Sequence, residues 1–585
     1  MKKSLLTLLV VAVMAQAFFT VTAEPVGLSK AESIAYQFVS SGKAMFKAGA
    51  GNTLRLAHEA KSVDGLTDYY VFNRGDGGGF VVVSGDDRLQ PIPGYSESGS
   101  FDADALPENV KWWFSEYQRQ MQFLRDNPKV KARKKVELDN VVAPLLTTKW
   151  SQGRPYNDMC PVAPSNNDPY MYYGGHAATG CVATAMTQVM NYWQWPKRGQ
   201  GSHGYDCDVN YYNSEAGTND YRTEHLSVDF SQSVYQWDLM MDEYMYIYDP
   251  DESAIVVKDK NGKLHIDFDG AYSNAVAKLM SDAGVSVDMG YGADGSGANS
   301  YNVYTALYKY FGYLVLYDSR DEFPEDMWDE SMRIALDAGR PIYYSGSGQN
   351  GGHAFVLDGY DNEERFHVNW GWGGSCDGYY ESLSLNPEHY SFNSSQSKVT
   401  CWPYKPFTSL PENGKTIDFG TIPMDSASVR TIMLYGTYLD DRVMVNISGA
   451  DAWNFQTEVY AIQPAELNGE EGYALEIVYF PPEQGTHTAQ LTLTPQGKDL
   501  HGNPIEPICF TLKGRLGDVH DVNFDGEVNL ADVNAALTLV LTGAADSLVG
   551  DVNTDGEITI ADVNALIDFV LGQQKNKTEK YKGCD

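Results

Sequence analysis

Cysteine is scarce in this chain: Cys160, Cys181, Cys207, Cys376, Cys401, Cys509 and Cys584 are all there are in 585 residues. The sparse, irregular spacing excludes a disulfide framework and a zinc ribbon. The count is odd, so at least one thiol stays free if the others pair, and Cys181 is the one with a chemical reason to do so. Basic residues are also short, with 43 Lys and Arg against 78 Asp and Glu and a net charge of −35. That balance speaks against nucleic acid or an anionic membrane as a partner. Beyond the N-terminus no apolar run approaches the roughly 20 residues needed to span a bilayer, so no membrane insertion is expected. A largely disordered chain is excluded by 43% hydrophobic and 12% aromatic content.

What is present begins with an export signal. Lys2 and Lys3 precede the apolar stretch Leu5 to Ala17, and Val21-Thr22-Ala23 offers a small-residue cleavage site. A secreted or cell-surface location is therefore expected. The first cysteine after the leader is Cys160, which leaves no site for lipid attachment at the mature N-terminus. The length is too great for one core and implies roughly three to five domains. The 39 tyrosines and 55 glycines favour strands and turns over long helices.

The expected division is 1–23 signal peptide, 24–139 N-terminal unit, 140–405 large central domain, 406–515 β-domain, 516–574 repeat module and 575–585 tail. The N-terminal unit reads as compact α+β, with an amphipathic helix from about Ser29 and strands at Tyr69–Asn73 and Gly79–Ser84. A second helix carries Trp112, Trp113, Phe114 and Tyr117. It ends in the basic run 128–135, which has nothing to bury and reads as an exposed linker open to proteolysis. Short alternating strands at 8–12-residue spacing between 406 and 515 predict a β-sandwich.

The chemistry lies in the central domain. Cys181 opens a stretch in which Val182, Met186, Val189, Met190 and Trp193 recur at helical spacing, closed by Pro196. A thiol attacks a carbonyl as thiolate, and a helix N-terminus supplies free N–H groups and partial positive charge. His353, in GGHAFVLDGYD, is placed to take the thiol proton, with Asn369 orienting the imidazole and Trp370 shielding the pair. A hairpin of 353–358 with 365–370 would set His353 beside Asn369 and Trp370. Either Cys181 or His353 alone reads more readily as a packed or strand-end residue, but together they form a cysteine-nucleophile acyl-transfer set.

GHAATGCVATAMTQVMNYW, VSVDMGYGADGSGA, PIYYSGSGQNGGHAFVLDGYD and HVNWGWGGSCDGYY closely resemble the streptopain-type cysteine proteases, secreted papain-like peptidases. The papain signature Cys-Gly-Ser-Cys-Trp is absent. The resemblance implies Cys181 as nucleophile, His353 as general base and acid, and Gln152 as the side chain completing the oxyanion hole. It implies Asn369 and Trp370 around the histidine, and Ser296, Gly297 and Gly352 lining the substrate cleft. Ser345 departs from the larger polar residue expected there, which leaves the exact subsite selectivity open. It also implies that 24–127 is an inhibitory propeptide, displacing or covering His353, with 128–139 as the maturation region.

A repeat of period 30 closes the chain, DVNFDGEVNLADVNAALTLVL from Asp521 and DVNTDGEITIADVNALIDFVL from Asp551. Each copy offers oxygen ligands at calcium-loop spacing. In the first these are Asp521, Asn523, Asp525, Asn529 and Asp532, with the Glu527 carbonyl; in the second, Asp551, Asn553, Asp555, Thr559 and Asp562, with the Glu557 carbonyl. Two such copies, each followed by one helix and ending in Asp rather than Glu, resemble a type I dockerin. That implies Ca2+ and a cohesin-bearing scaffold or cell-surface protein as partner, though docking within the chain is equally open.

The expected class is thus multidomain α+β: a papain-like cysteine protease domain with an α+β propeptide, an Ig-like β-sandwich and a small α-helical calcium-loop dockerin. The expected function is a self-processing zymogen that hydrolyses protein and peptide substrates and needs no cofactor for catalysis. The alternative is a catalytically inactive, calcium-dependent surface or adhesion protein that binds peptides. A decayed enzyme usually loses one of Gln152, Cys181, His353 and Asn369; all four are present. A transglutaminase-type acyl transferase could use the same residues, but the glycine-lined cleft favours hydrolysis.

Overall fold

The computed structural model describes residues 25–46, 51, 53–127, 137–167, 172–247, 254–293, 295–323, 327–348, 351–382, 396–468, 471–500, 502–542, 550–553 and 555–582. The leader and most of the basic linker lie outside these. The chain divides into two compact units, 1–403 and 404–585.

In the first unit α1 (Leu28–Ser40) is followed by β1 (Leu54–Lys61), β2 (Thr67–Arg74), β3 (Phe80–Ser84), β4 (Gly94–Ser96) and α2 (Glu108–Asp126). Then come α3 (Cys181–Trp193), the hairpin β5 (Ser202–Asn213) and β6 (Thr218–Asp229), and the small sheet β7 (Glu243–Ile247), β8 (Ala254–Lys258) and β9 (Leu264–Ile266). Next are α4 (Ala271–Ser286), α5 (Tyr301–Lys309), β10 (Tyr313–Ser319), α6 (Trp328–Asp337) and β11 (Ile342–Gly348). The unit ends with β12 (Gly351–Tyr360), β13 (Phe366–Asn369), β14 (Gly378–Tyr380) and β15 (Ser397–Pro403).

One sheet of ten strands runs through it in the order β1-β2-β3-β4-β14-β13-β12-β11-β15-β10. The sequence suggested that the N-terminal segment is a separate compact unit, but its last strand, β4, hydrogen-bonds to β14 of the central domain and the sheet is continuous. Tyr95 pairs with Tyr379 and Gly94 with Tyr380, and the Tyr95 and Tyr379 rings stack at 5.1 Å. Glycines permit this close approach. A Cβ on Gly378 would sit 2.2 Å from the Tyr95 carbonyl oxygen, and one on Gly94 would sit 2.6 Å from the Tyr380 ring.

Period-2 alternation buries this sheet on both faces. Along β12, Ala354 and Val356 face the core around α3 and α4, with Val182, Met186, Val189, Leu279 and Met280. Phe355 and Leu357 face a second core that joins Trp112, Trp113, Phe114 and Tyr117 of α2 to Trp328, Met332 and Leu336 of α6. A second grip lies at the turn before β13. Buried Arg365 is bonded to Asp361 and Glu363, donates to the Ile92 carbonyl at 2.9 Å, and lies over the Phe38 and Tyr95 rings. Lys43 pairs with Glu363.

The second unit holds two sheets around one core. Its elements are β16 (Phe407–Leu410), β17 (Thr416–Ile422), β18 (Ser428–Gly436), β19 (Val443–Ser448), β20 (Phe455–Gln456), β21 (Ala461–Ile462), α7 (Pro464–Leu467), β22 (Tyr473–Tyr479), β23 (Gly485–Pro495) and β24 (Ile508–Leu516). Strict alternation of buried and half-buried residues along β24 is the expected sandwich pattern. α8 (Leu530–Thr542) and α9 (Ile560–Lys582) follow the two repeat loops and pack through Val533, Ala536, Val563, Leu566 and Val570. α9 continues to Lys582, so most of the backbone assigned to the 575–585 tail is helical. Among the described residues no helix is long and apolar enough to cross a membrane.

Candidate active site

The apolar spacing predicts a helix beginning at or just before Cys181, and Cys181 is the first residue of α3. The helix starts there because Gly180 takes φ +83°, which a side chain would resist. The space is closed as well: a Cβ on Gly180 would lie 2.8 Å from Met289 Sδ and 2.9 Å from the Ser296 carbonyl oxygen. The Thr184 N–H and hydroxyl both donate to the Gly180 carbonyl and tie down the first turn.

Cys181 and His353 line one cleft of about 790 Å³, together with Ser296, Gly297, Gly352, Ser345 and Ser397. The loop bearing Ser296 and Gly297 is held by paired bonds between Gly290 and Gly297, at 2.9 and 3.1 Å. Ser345, flagged in the sequence as smaller than expected, shares a 2.8 Å hydrogen bond with Ser397. Five of the eight sequence-predicted catalytic and cleft residues therefore meet in one place.

The other three lie outside that lining. Gln152 is buried, and its carbonyl accepts from Thr179 N–H, two residues before Cys181. Asn369 faces Val356 across the hairpin, three residues from His353. Its amide does not orient the imidazole in this form: Oδ1 accepts from Gln188 Nε2 at 2.9 Å and from Gly371 N–H, while Nδ2 donates to the Thr148 carbonyl at 2.7 Å. Trp370 is fully buried against Phe355 and Tyr380, with its indole N–H on the Cys376 carbonyl. In this form it packs the core beneath α2.

The expected pairing of Cys181 with His353 is not assembled. His353 Nε2 is buried with no hydrogen-bond partner, and burial pushes the imidazole pKa down, against a raising effect from Glu108 of α2. Burial also pushes the Cys181 thiol up, against the N–H groups of Ala354, Val182 and Cys181 itself. Thiol and imidazole both favour their neutral forms, the opposite of a thiolate–imidazolium pair. Helix α2 accounts for this. Alternation along β12 puts His353 on the side of Phe355, which packs on Trp112. Trp112 also covers Gly346, the cross-strand partner of His353; a Cβ there would lie 2.6 Å from its ring. Asn109 donates to the Trp370 carbonyl. Neither Asn109 nor Gln188 was singled out in the sequence, because each acts through a partner more than 150 residues away.

Behind the strand carrying Asn369 is a buried titrating cluster. His367 Nδ1 bonds Asp358 Oδ1 at 2.6 Å. Burial opposes charging the ring, but Asp358 outweighs it and raises the His367 pKa. Asp377, which accepts from Trp370 N–H, is pushed by burial from its ordinary 3.8 up to about 7. Both groups hold extra protons when folded, Asp377 between 3.8 and about 7 and His367 above 6.5. The contribution of these two groups to stability should therefore fall as pH rises from about 4 through 7 and beyond. Melting temperatures of wild type and Asp377→Asn compared from pH 4 to 8 should differ by an amount that changes between pH 4 and 7, because the variant lacks the part of the slope that Asp377 supplies. An unchanged slope in the variant would contradict the assignment.

In the repeat loops, Asp532 and Asp562 are fully buried, and each accepts two loop N–H groups. Among the described residues no three His, Cys, Asp or Glu side chains are gathered as a metal cluster. The donors are nonetheless the hard oxygens a calcium ion prefers, and Asp521 Oδ1 is buried without a partner. Gly526 and Gly556 take φ of +86° and +94° at the sharp turn. The donor chemistry thus fits calcium.

Of the known families, the Peptidase C10 family matches residues 150–380 and the Spi protease inhibitor family residues 23–121. Streptopain of Streptococcus pyogenes is 34% identical over 373 residues, covering 61% of this chain and 85% of streptopain. The thiol protease/hemagglutinin PrtT of Porphyromonas gingivalis is 33% identical over 382 residues, 62% of this chain; the chain spans only 39% of PrtT. Among solved structures, Prevotella intermedia prointerpain A is 33% identical, covers 59% of this chain and 98% of its own, and gives a TM-score of 0.45.

Proposed function

The chain belongs to the peptidase C10 family of cysteine proteases, and on that premise we propose that it is an exported cysteine endopeptidase made as a latent, self-processing precursor. The observation that carries this reading is the placement of Cys181, at a helix N-terminus, and His353 in one glycine-bordered cleft. In the working form the imidazole takes the thiol proton and the sulfur attacks the peptide carbonyl carbon. His353 then returns the proton to the departing amine. Water, deprotonated by His353, hydrolyses the thioester and releases the acid and the free thiol. The Cys181 backbone N–H and the Gln152 amide are the proposed donors to the oxyanion.

Asn369 takes its orienting role, and Trp370 its covering role, only once α2 leaves. Release of Trp112 from Gly346 and of Asn109 from the Trp370 carbonyl frees the end of β12 to bring His353 to the sulfur. The prosegment thus acts as the inhibitor until the linker at 128–139 is cut. The second unit is read as an Ig-like sandwich followed by a calcium-loaded dockerin, in which the twelve loop residues named above hold Ca2+ and a cohesin-bearing surface protein is the partner.

The test is incubation of purified precursor with casein under reducing conditions, with and without prior thiol alkylation. The expected result is loss of the N-terminal segment of about 115 residues (the proposed division, 24–139), followed by casein cleavage, both blocked by alkylation mapped to Cys181. A precursor that neither processes nor cleaves casein would leave the peptide-binding adhesion reading in its place.

A further inference from the structure

The two repeat loops are nearly identical in sequence but not in surroundings. In the first, Asp521 is only 6% exposed. Arg515, on β24 of the sandwich, donates to Asp521 Oδ2 at 3.1 Å and to the Asp521 carbonyl at 2.9 Å. Its guanidinium also lies 3.7 Å over the Phe524 ring, inside the same loop. Asp521 Oδ1, the other carboxylate oxygen, is buried without a partner. Among the described residues, the corresponding Asp551 of the second loop accepts from the backbone N–H groups of Asp555 at 3.0 Å and Gly556 at 2.9 Å. Among the described residues no basic side chain pairs with it.

A guanidinium and a calcium ion compete for the same carboxylate, and like charges so close in a water-poor place are weakly screened. We propose that Arg515 makes the two loops unequal: the second loop takes calcium first, and the first fills only as the guanidinium yields Asp521. Occupancy of the first loop is then coupled to the sandwich, because the arginine that yields belongs to the sandwich strand. This rests on the calcium reading of the repeats.

The test is calorimetric titration of Ca2+ into chelator-stripped full-length chain carrying Cys181→Ala, which prevents self-digestion. Two binding events about tenfold or more apart in affinity are expected. Asp551→Asn should remove the tighter event and Asp521→Asn the weaker. Arg515→Met should tighten the weaker event by about tenfold, the scale of one charge-assisted hydrogen bond. Should Arg515→Met fail to fold, Arg515→Lys, which keeps the charge but not the fork, should narrow the gap by less. Two equal events, loss of the tighter event in Asp521→Asn, or a gap unchanged or widened in the arginine variants would overturn the proposal while leaving calcium binding intact. No calcium uptake by any form would instead overturn the calcium reading and this proposal with it.

Discussion

Cys181→Ala is expected to lower kcat/KM for peptide hydrolysis by at least about 10⁴-fold, since the nucleophile is the one group in the mechanism without a substitute. Stability should change little: the lost sulfur is only partly buried, at a cleft wall on the edge of the core around α3. The variant should therefore accumulate as intact precursor with an unaltered melting temperature. Gel electrophoresis of the aged protein, alongside peptide hydrolysis by wild type, checks both halves. A variant that still trims its own N-terminus would show that maturation is the work of another protease. One that retains peptide hydrolysis would remove Cys181 from the mechanism.

The second large effect concerns how the prosegment is held. Arg365 is 1% exposed and closes a buried set with Asp361 and Glu363, at 8% and 7%. Arg365→Met would keep much of the volume but strand two carboxylates. Breaking a buried ion pair from one side costs about 3–5 kcal/mol. Here the lower end is expected, because Lys43 still reaches Glu363, and Asp361 still accepts the Glu363 and Arg365 N–H groups. Urea unfolding should show a loss of about 3 kcal/mol, and once the linker is cut the prosegment should dissociate at lower urea than in wild type. An unshifted midpoint would mean that the turn is not what fastens the segment. Because Arg365 bonds to the Ile92 carbonyl as well, the effect should exceed that of removing the exposed Lys43 amine.

Much of the site was legible in the chain because its signals are local. The spacing of Val182, Met186, Val189 and Met190 announces a buried helix that begins at or just before Cys181, and Pro196 closes it. The hairpin carrying His353 shows in its two apolar runs and the polar turn between them. The continuity of the ten-stranded sheet was not legible. Its junction is made by Gly94–Ser96 and Gly378–Tyr380, three residues each, too short to carry a period. An N-terminal unit that reads as self-contained is consequently half of a shared core, with Trp112 and Trp113 packed on Phe355 and Tyr380.

Sequence by itself thus determined the chemical inventory of this protein: a thiol on a helix end, an imidazole on a strand, glycines at a cleft and oxygen donors in a doubled loop. Those depend on residue type and near spacing, which the chain carries directly. Only the tertiary structure decided the state of that inventory. Asn369 spends its amide on Gln188 and Thr148, His353 is left without a partner under α2, and Arg515 separates two loops that the sequence presents as twins. Each of these follows from which distant group reaches a buried polar atom first. Such pairings are set by packing between elements and not by the order of residues within one.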